Sequence, residues 1–79
     1  MSEFVTQDQL QLDLELDRMM RWFQYDHLPP KLKAVSSPFY DLAKKICLET
    51  PSGPERAAGL RKLLEAKDCI VRAALHPGG

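Results

Sequence analysis

The sequence has no apolar run near the roughly 18 residues that mark a membrane-spanning helix. It also lacks a signal-peptide pattern at its start. A soluble, cytoplasmic protein with no membrane partner is therefore expected. There is no excess of either charge, since 11 basic and 11 acidic residues give a formal net charge of zero. Bulk attraction to duplex nucleic acid needs a basic field, so duplex DNA or RNA is not an expected partner. A small anion held by a few local cations remains compatible with this balance.

Cysteine is scarce. Cys47 and Cys69 lie on opposite sides of a Pro- and Gly-rich turn at positions 51–54. In an antiparallel helical hairpin Cys47 would face position 57 or 58, leaving Cys69 more than about 15 Å away at 1.5 Å per residue. That separation excludes a bridge, and two buried free thiols are expected. His27, Cys47, Cys69 and His76 show no CxxC, HxxxH or HxxE spacing, so no metal site is expected. No P-loop, GxGxxG or nucleophile elbow is present, and no cofactor is implied. Glu15 with Asp17, and Asp41 with Glu49, read as surface carboxylates rather than a catalytic pair. The chain is not expected to be an enzyme.

β-Branched residues are also missing from a long stretch, with none between Thr6 and Val35. That decides an ambiguity. Leu10, Leu12, Leu14 and Leu16 alternate as in a strand, but their neighbours are helix formers. Leu12, Leu16, Met19, Met20 and Phe23 fit one helical stripe. A helix from about Gln7 to Tyr25 is expected, opened by a Thr6–Gln9 capping box. Leu10 and Leu14 form a second stripe, which in so small a chain points to a partner chain.

Pro29-Pro30 ends that helix. A short helix from Pro30 to about Val35 is expected, then a restart with Ser37 as cap and Pro38 at the first helical position. The restarted helix runs to about Glu49, with Phe39, Leu42, Ala43, Ile46 and Cys47 facing inward. Ser52 and Glu55 form a second capping box, and a last helix runs from Gly53 or Pro54 to about Leu75. Leu60, Leu64, Val71 and Leu75 make one of its stripes; Leu63, Ala66, Ile70 and Ala73 make another. Asp68 and Arg72 have ion-pair spacing. Residues 1–5 and 76–79 are expected to be disordered. The expected fold is a single all-α domain: N-terminal helix, proline elbow, then an antiparallel helical hairpin. A chain of 79 residues buries only about 60% of its unfolded surface, so assembly into a homo-oligomer is the expected source of further stability.

What the chain does have is an aromatic-rich elbow. Residues 21–43 hold Trp22, Phe23, Tyr25, Phe39 and Tyr40, five of the six aromatic residues. Tyr25, His27, Lys31 and Lys33 fall within nine residues of one another across the proline break. Stacking faces beside local cations suit a ligand with bases and phosphates, each stacked base contributing about 1–3 kcal/mol. Lysine supplies a point charge for phosphate. Ser36 and Ser37 at an expected helix N-terminus would favour an anion. Trp22, Phe23 and Phe39 read as core, and Tyr40 as a rim packing residue.

Several stretches together resemble the small phage proteins of the anti-CBASS nucleotide-sponge family. They are Arg21-Trp22-Phe23 leading into Tyr25-Asp26-His27-Leu28-Pro29, then Leu42-Ala43, Pro51-Ser52-Gly53-Pro54-Glu55 and Leu64-Glu65-Ala66-Lys67-Asp68. The resemblance covers roughly residues 21–75. It implies a helical hairpin assembled into a compact hexamer. It also implies binding, without cleavage, of cyclic dinucleotides and, in some members, of cyclic trinucleotides at separate pockets between subunits. Sequestration would deprive CBASS effectors of their signal. By the same resemblance Tyr25 matches the elbow tyrosine that stacks on a base. His27 stands one place beyond the family's histidine, displaced by Asp26. Lys31 or Lys33 takes the phosphate role, and Arg72 lies near the last-helix arginine of the other pocket. The long N-terminal leucine segment departs from shorter members. The ligand-binding set is thus Tyr25, His27, Lys31, Lys33, Ser37, Tyr40 and Arg72. The rival expectation is a small interaction module that uses Leu10, Leu14 and the last helix to bind a host protein.

Overall fold

A computed structural model describes residues 7–76 and Gly78. The expected cap Thr6, residues 1–5, Pro77 and Gly79 lie outside the described residues. The order of elements is α1 (Gln7–Leu16), a 3-10 helix (Arg18–Phe23), α2 (Pro30–Glu49) and α3 (Pro54–Leu75). Among the described residues there is no strand, and no helix is long and apolar enough to cross a membrane.

The prolines account for the outer limits of α2 and α3. Pro29 precedes α2 in extended backbone, and Pro30 takes the first helical position, where a missing N–H has no consequence. Thr50 ends α2, its hydroxyl donating 2.7 Å to the Ile46 carbonyl. Pro54 opens α3 in the same way as Pro30 opens α2. The two long helices form the antiparallel hairpin expected from the turn.

Three local expectations are corrected. The first helix does not run to Tyr25. Asp17 adopts an extended conformation (φ −168°, ψ 136°), its carboxylate accepts from the Met19 N–H at 2.9 Å, and a 3-10 helix follows. A short acidic side chain that bonds its own following backbone competes with helix continuation. Second, α2 does not break at Ser36-Ser37-Pro38; it runs through Pro38. Pro38 and Ala34 are both exposed, so the Ala34 carbonyl that Pro38 cannot serve meets water. Ser37 therefore lies mid-helix. Third, Gly53 rather than Ser52 occupies the cap of α3, with no side-chain bond from Ser52.

The core is small: Met20, Phe23, Tyr40, Ala43, Cys47 and Leu60. On α2 the buried residues are Ser36, Tyr40, Ala43 and Cys47, spaced 4, 3 and 4. That face is turned from the expected one, leaving Leu42 exposed and Phe39 and Ile46 half-buried. Cys69 is exposed, which corrects its assignment as buried; Cys47 is buried, and both thiols are free. Leu12 and Trp22, both expected inside, are each 57% exposed, and Leu75 is exposed too. The Cα trace extends 37 × 34 × 15 Å, and Leu42, Leu48 and Ile70 are left exposed on its surface.

Candidate functional site

The site begins at a carboxylate that the leucine pattern concealed. Asp13 on α1 is fully buried. Its Oδ2 accepts from the Tyr40 hydroxyl at 2.6 Å and from Gln24 Nε2 at 3.1 Å; its Oδ1 accepts from Gln9 Nε2 at 3.0 Å. Lys44 Nζ lies 3.4 Å from Oδ1 and 5.8 Å from the centre of the Tyr40 ring. A buried carboxylate with this many donors is held ionised. Burial pushes its pKa up, but the Tyr40, Gln24 and Gln9 hydrogen bonds and the Lys44 charge outweigh burial and set it below its ordinary 3.8. Tyr40 is accordingly core rather than rim, and its hydroxyl is committed to Asp13.

Tyr40 in turn positions Tyr25. The two rings meet edge-to-face, centroids 5.4 Å apart at 69°. Aromatic pairs of this geometry contribute about 0.5–1.5 kcal/mol beyond burial. Tyr25 is half-buried in the irregular segment 24–29. Burial first, then the Asp26 and Asp41 charges, raises its phenol pKa, while Lys33 opposes them. Tyr25 and Tyr40 are thus brought together, and the Lys33 charge is near enough to act on the Tyr25 phenol.

The other expected residues are distributed. Lys31 and Lys33 occupy the first turn of α2, which carries no acidic residue. Ser37 is half-buried in the middle of α2, so it is not at the amide-rich terminus that motivated its selection. His27 lines a different cavity, of about 380 Å³, with Arg21, Trp22 and Lys67. Arg72 lies near the far end of α3. It donates 3.3 Å to Cys69 Sγ rather than pairing with Asp68, and Asp68 lies 3.8 Å from Lys67 Nζ. Arg72 and His76 line a third cavity of about 500 Å³, and the His76 N–H caps α3 on the Arg72 carbonyl at 2.8 Å. Among the described residues no three His, Cys, Asp or Glu side chains gather as a metal site.

The protonation pattern gives a testable pH profile. Asp13 binds its proton less tightly when folded, so its contribution to stability is complete above pH 3.8 and is lost as pH falls through the lower folded value. Burial, then the bond and charge of Asp13, holds Tyr40 well above its ordinary 10.0. Its contribution is complete below pH 10.0 and is lost as pH rises beyond it. Lys67 works the other way: burial lowers its pKa from 10.5, so its folding penalty diminishes towards that pH. The urea midpoint is expected to be flat between about pH 5 and 9 and to fall on both sides. Tyr40→Phe is expected to remove much of the alkaline fall. An unchanged alkaline limb in that variant would assign the fall to other groups.

No protein-family model matches this chain, and neither any curated protein nor any solved structure shows a significant match, so the site stands on its own residues.

Proposed function

We propose that this chain is a binding protein that sequesters cyclic dinucleotide second messengers without cleaving them. It would act in the host-cell cytoplasm as a phage antagonist of CBASS-type antiviral signalling, as a homo-oligomer and by resemblance a hexamer. Cyclic trinucleotides are a second candidate ligand class. The observation that carries the reading is Tyr25: a half-buried ring fixed edge-on by Tyr40, beside Lys33, at the irregular elbow. A pre-positioned ring loses little freedom on stacking against a base.

Two further features support it. Lys31 and Lys33 lie in the first turn of α2, at the positive end of its dipole, with no acid in that turn. A phosphate there would meet both ammonium groups and the helix N-terminus. Leu12, Leu42, Leu48, Ile70 and Leu75 are exposed apolar residues, as self-association requires. A two-fold ligand held between two copies would meet a Tyr25 and a lysine from each.

The experiment is a calorimetric titration with a panel of cyclic di- and trinucleotides, then heat denaturation and recovery of the ligand. Tight binding with ligand recovered unchanged supports sequestration; altered ligand would make the protein an enzyme. Tyr25→Ala is expected to abolish dinucleotide binding while leaving the oligomer intact. At ligand 100-fold above its Kd, the parent protein is expected to gain about 2.7 kcal/mol in stability. The exposed apolar residues also favour a second reading, an interaction module for a host protein. Silence across the whole panel, with a host protein recovered by pull-down, would select it.

A further inference from the structure

The solvent face of α3 carries a charge pattern that the chain's own contacts do not use. Glu55, Ala58, Lys62, Glu65, Cys69 and Arg72 are all exposed and follow one another at spacings of 3, 4, 3, 4 and 3. That alternation is the heptad period by which one helix lies along another. Among the described residues no side chain pairs with Glu55, Arg61, Lys62 or Glu65.

The order of these charges selects the partner. Place a second copy of α3 antiparallel, with the two-fold axis between Lys62 and Glu65. Lys62 then faces Glu65 of the copy, Glu55 faces Arg72, and Ala58 faces Cys69. Every charge in the seam meets its opposite, and the two-fold repeats each contact. On one flank Arg61 meets Asp68. On the other, Gly59 meets Ala73 and Ala66 meets its own copy, so the helices can approach closely. A Cβ added at Gly59 would meet nothing within 4 Å in its own chain, so internal packing does not account for a glycine there. Glycine inside a helix is otherwise unfavourable.

Other arrangements set like against like. Sliding one copy by a heptad puts Lys62 against Arg72 in one direction and Glu55 against Glu65 in the other. Parallel packing puts Lys62, Glu65 and Arg72 each against itself. Like charges across an interface reject the wrong register. An unrelated helix has no reason to carry this reversed order of charges, whereas a second α3 carries it by necessity.

We infer that α3 is a self-association face on which a second copy of this chain lies antiparallel about a two-fold axis between Lys62 and Glu65. The pairing rests on the homo-oligomer reading proposed above and needs no nucleotide. One pair of 22-residue helices makes a small interface. Specific interfaces below about 1,200 Å² in total are weak ones, so association is expected to depend on concentration. Its charged layers are expected to weaken as salt rises to about 1 M, where the Debye length is about 3 Å.

The test is sedimentation velocity of the full chain over a range of concentrations, without nucleotide. Lys62→Glu and Glu65→Lys are each expected to weaken association about tenfold or more, because each sets like charges together twice. An equimolar mixture of the two variants is expected to associate as the parent does, since every glutamate of one chain then meets a lysine of the other. Charges paired only within one helix would give no such rescue. Ala58→Cys is expected to form a covalent dimer through Cys69 under copper–phenanthroline oxidation. The parent is not, because Cys69 and its copy stand about 16 Å apart in this register. Ala57→Cys, exposed but off this face, is the control. A parent that stays monomeric at millimolar concentration overturns the inference. Single variants that associate as the parent does, a mixture that fails to recover, or Ala57→Cys cross-linking as fast as Ala58→Cys would overturn it too. Unchanged assembly in both charge variants would move self-association to another face and leave the homo-oligomer reading standing.

Discussion

Arg56→Ala is expected to be among the most destabilising substitutions in this protein. The Arg56 side chain is 7% exposed and spans four acceptors at the ends of two helices. Nη1 donates to the Cys47 carbonyl at 3.1 Å and the Thr50 carbonyl at 2.7 Å, closing the end of α2. Nη2 donates to the Leu16 carbonyl at 3.2 Å and Asp17 Oδ2 at 3.0 Å, closing the end of α1. Truncation takes the donor from the half-buried Asp17 carboxylate and from the Leu16 and Cys47 carbonyls, while the exposed Thr50 carbonyl can turn to water. Breaking a buried pair from one side costs about 3–5 kcal/mol. At about 0.05–0.15 kcal/mol per residue, a domain of this size holds only about 4–12 kcal/mol in total. The loss converts to roughly 12–40 °C of melting temperature at 4–8 °C per kcal/mol. Thermal melts followed by circular dichroism measure it directly. Arg56→Lys is expected to fall between the two, since an ammonium keeps the attraction to Asp17 but cannot fork across both helix ends. A truncated variant melting within about 4 °C of the parent would mean that the clamp contributes under 1 kcal/mol.

The second large effect is expected at Asp13. Asp13→Ala strands the Tyr40 hydroxyl, the Gln24 and Gln9 amides and the Lys44 charge at once, and a loss of about 3–5 kcal/mol is expected. Asp13→Asn is a sharper probe. It keeps the volume but replaces one oxygen, each of which now serves two donors, with a donor. The Tyr40 hydroxyl can turn to accept, whereas the Gln24 amide is fixed by the Met20 carbonyl. A loss of about 2–3 kcal/mol is expected, in the range for a hydrogen bond to a charged group. A double-mutant cycle with Tyr40→Phe isolates that bond, with an expected coupling of about 1.5–3 kcal/mol. Additive effects in the cycle would mean that Tyr40 and Asp13 act independently. The same variants bear on binding. Tyr40 orients Tyr25, so loosening Asp13 is expected to weaken cyclic dinucleotide binding without touching a ligand contact.

What could be read from the sequence was whatever is decided locally. Pro30 and Pro54 open helices through a missing N–H and a preset backbone, and these starts and the end of α2 were placed correctly; the end of the first helix, assigned to Pro29-Pro30, was not. The all-helical class followed from residue preferences over long windows. The break at Asp17 was not legible, because the group that satisfies the freed Leu16 carbonyl is Arg56, 40 positions later. Pro38 read as a helix start because proline favours that position. Its interior placement depends on an exposed Ala34 carbonyl, which is a property of the packed helix. In α1 the expected inward stripe held at Leu16, which packs against the core, but not at Leu12, which is exposed. Asp13 faces in because Tyr40 and Lys44, about thirty positions away, supply its partners. Of the candidate ligand residues, Tyr25 and Tyr40 meet edge-to-face, and Tyr40 read as rim because its partner Asp13 lies 27 positions away.

The Arg56 clamp also imposes an order on the birth of the molecule. The Leu16 carbonyl and Asp17 emerge from the ribosome first, and the guanidinium that holds them follows 39 to 40 residues later. At roughly 5–20 residues per second, that delay is about 2–8 s. Until Tyr40 emerges, 27 residues after Asp13, α1, a ten-residue helix too short to persist alone, lacks the α2 face on which Asp13 docks. Its four leucines are therefore presented to the nascent-chain environment before α2 can receive them, and the junction after α1 is locked only when Arg56 follows.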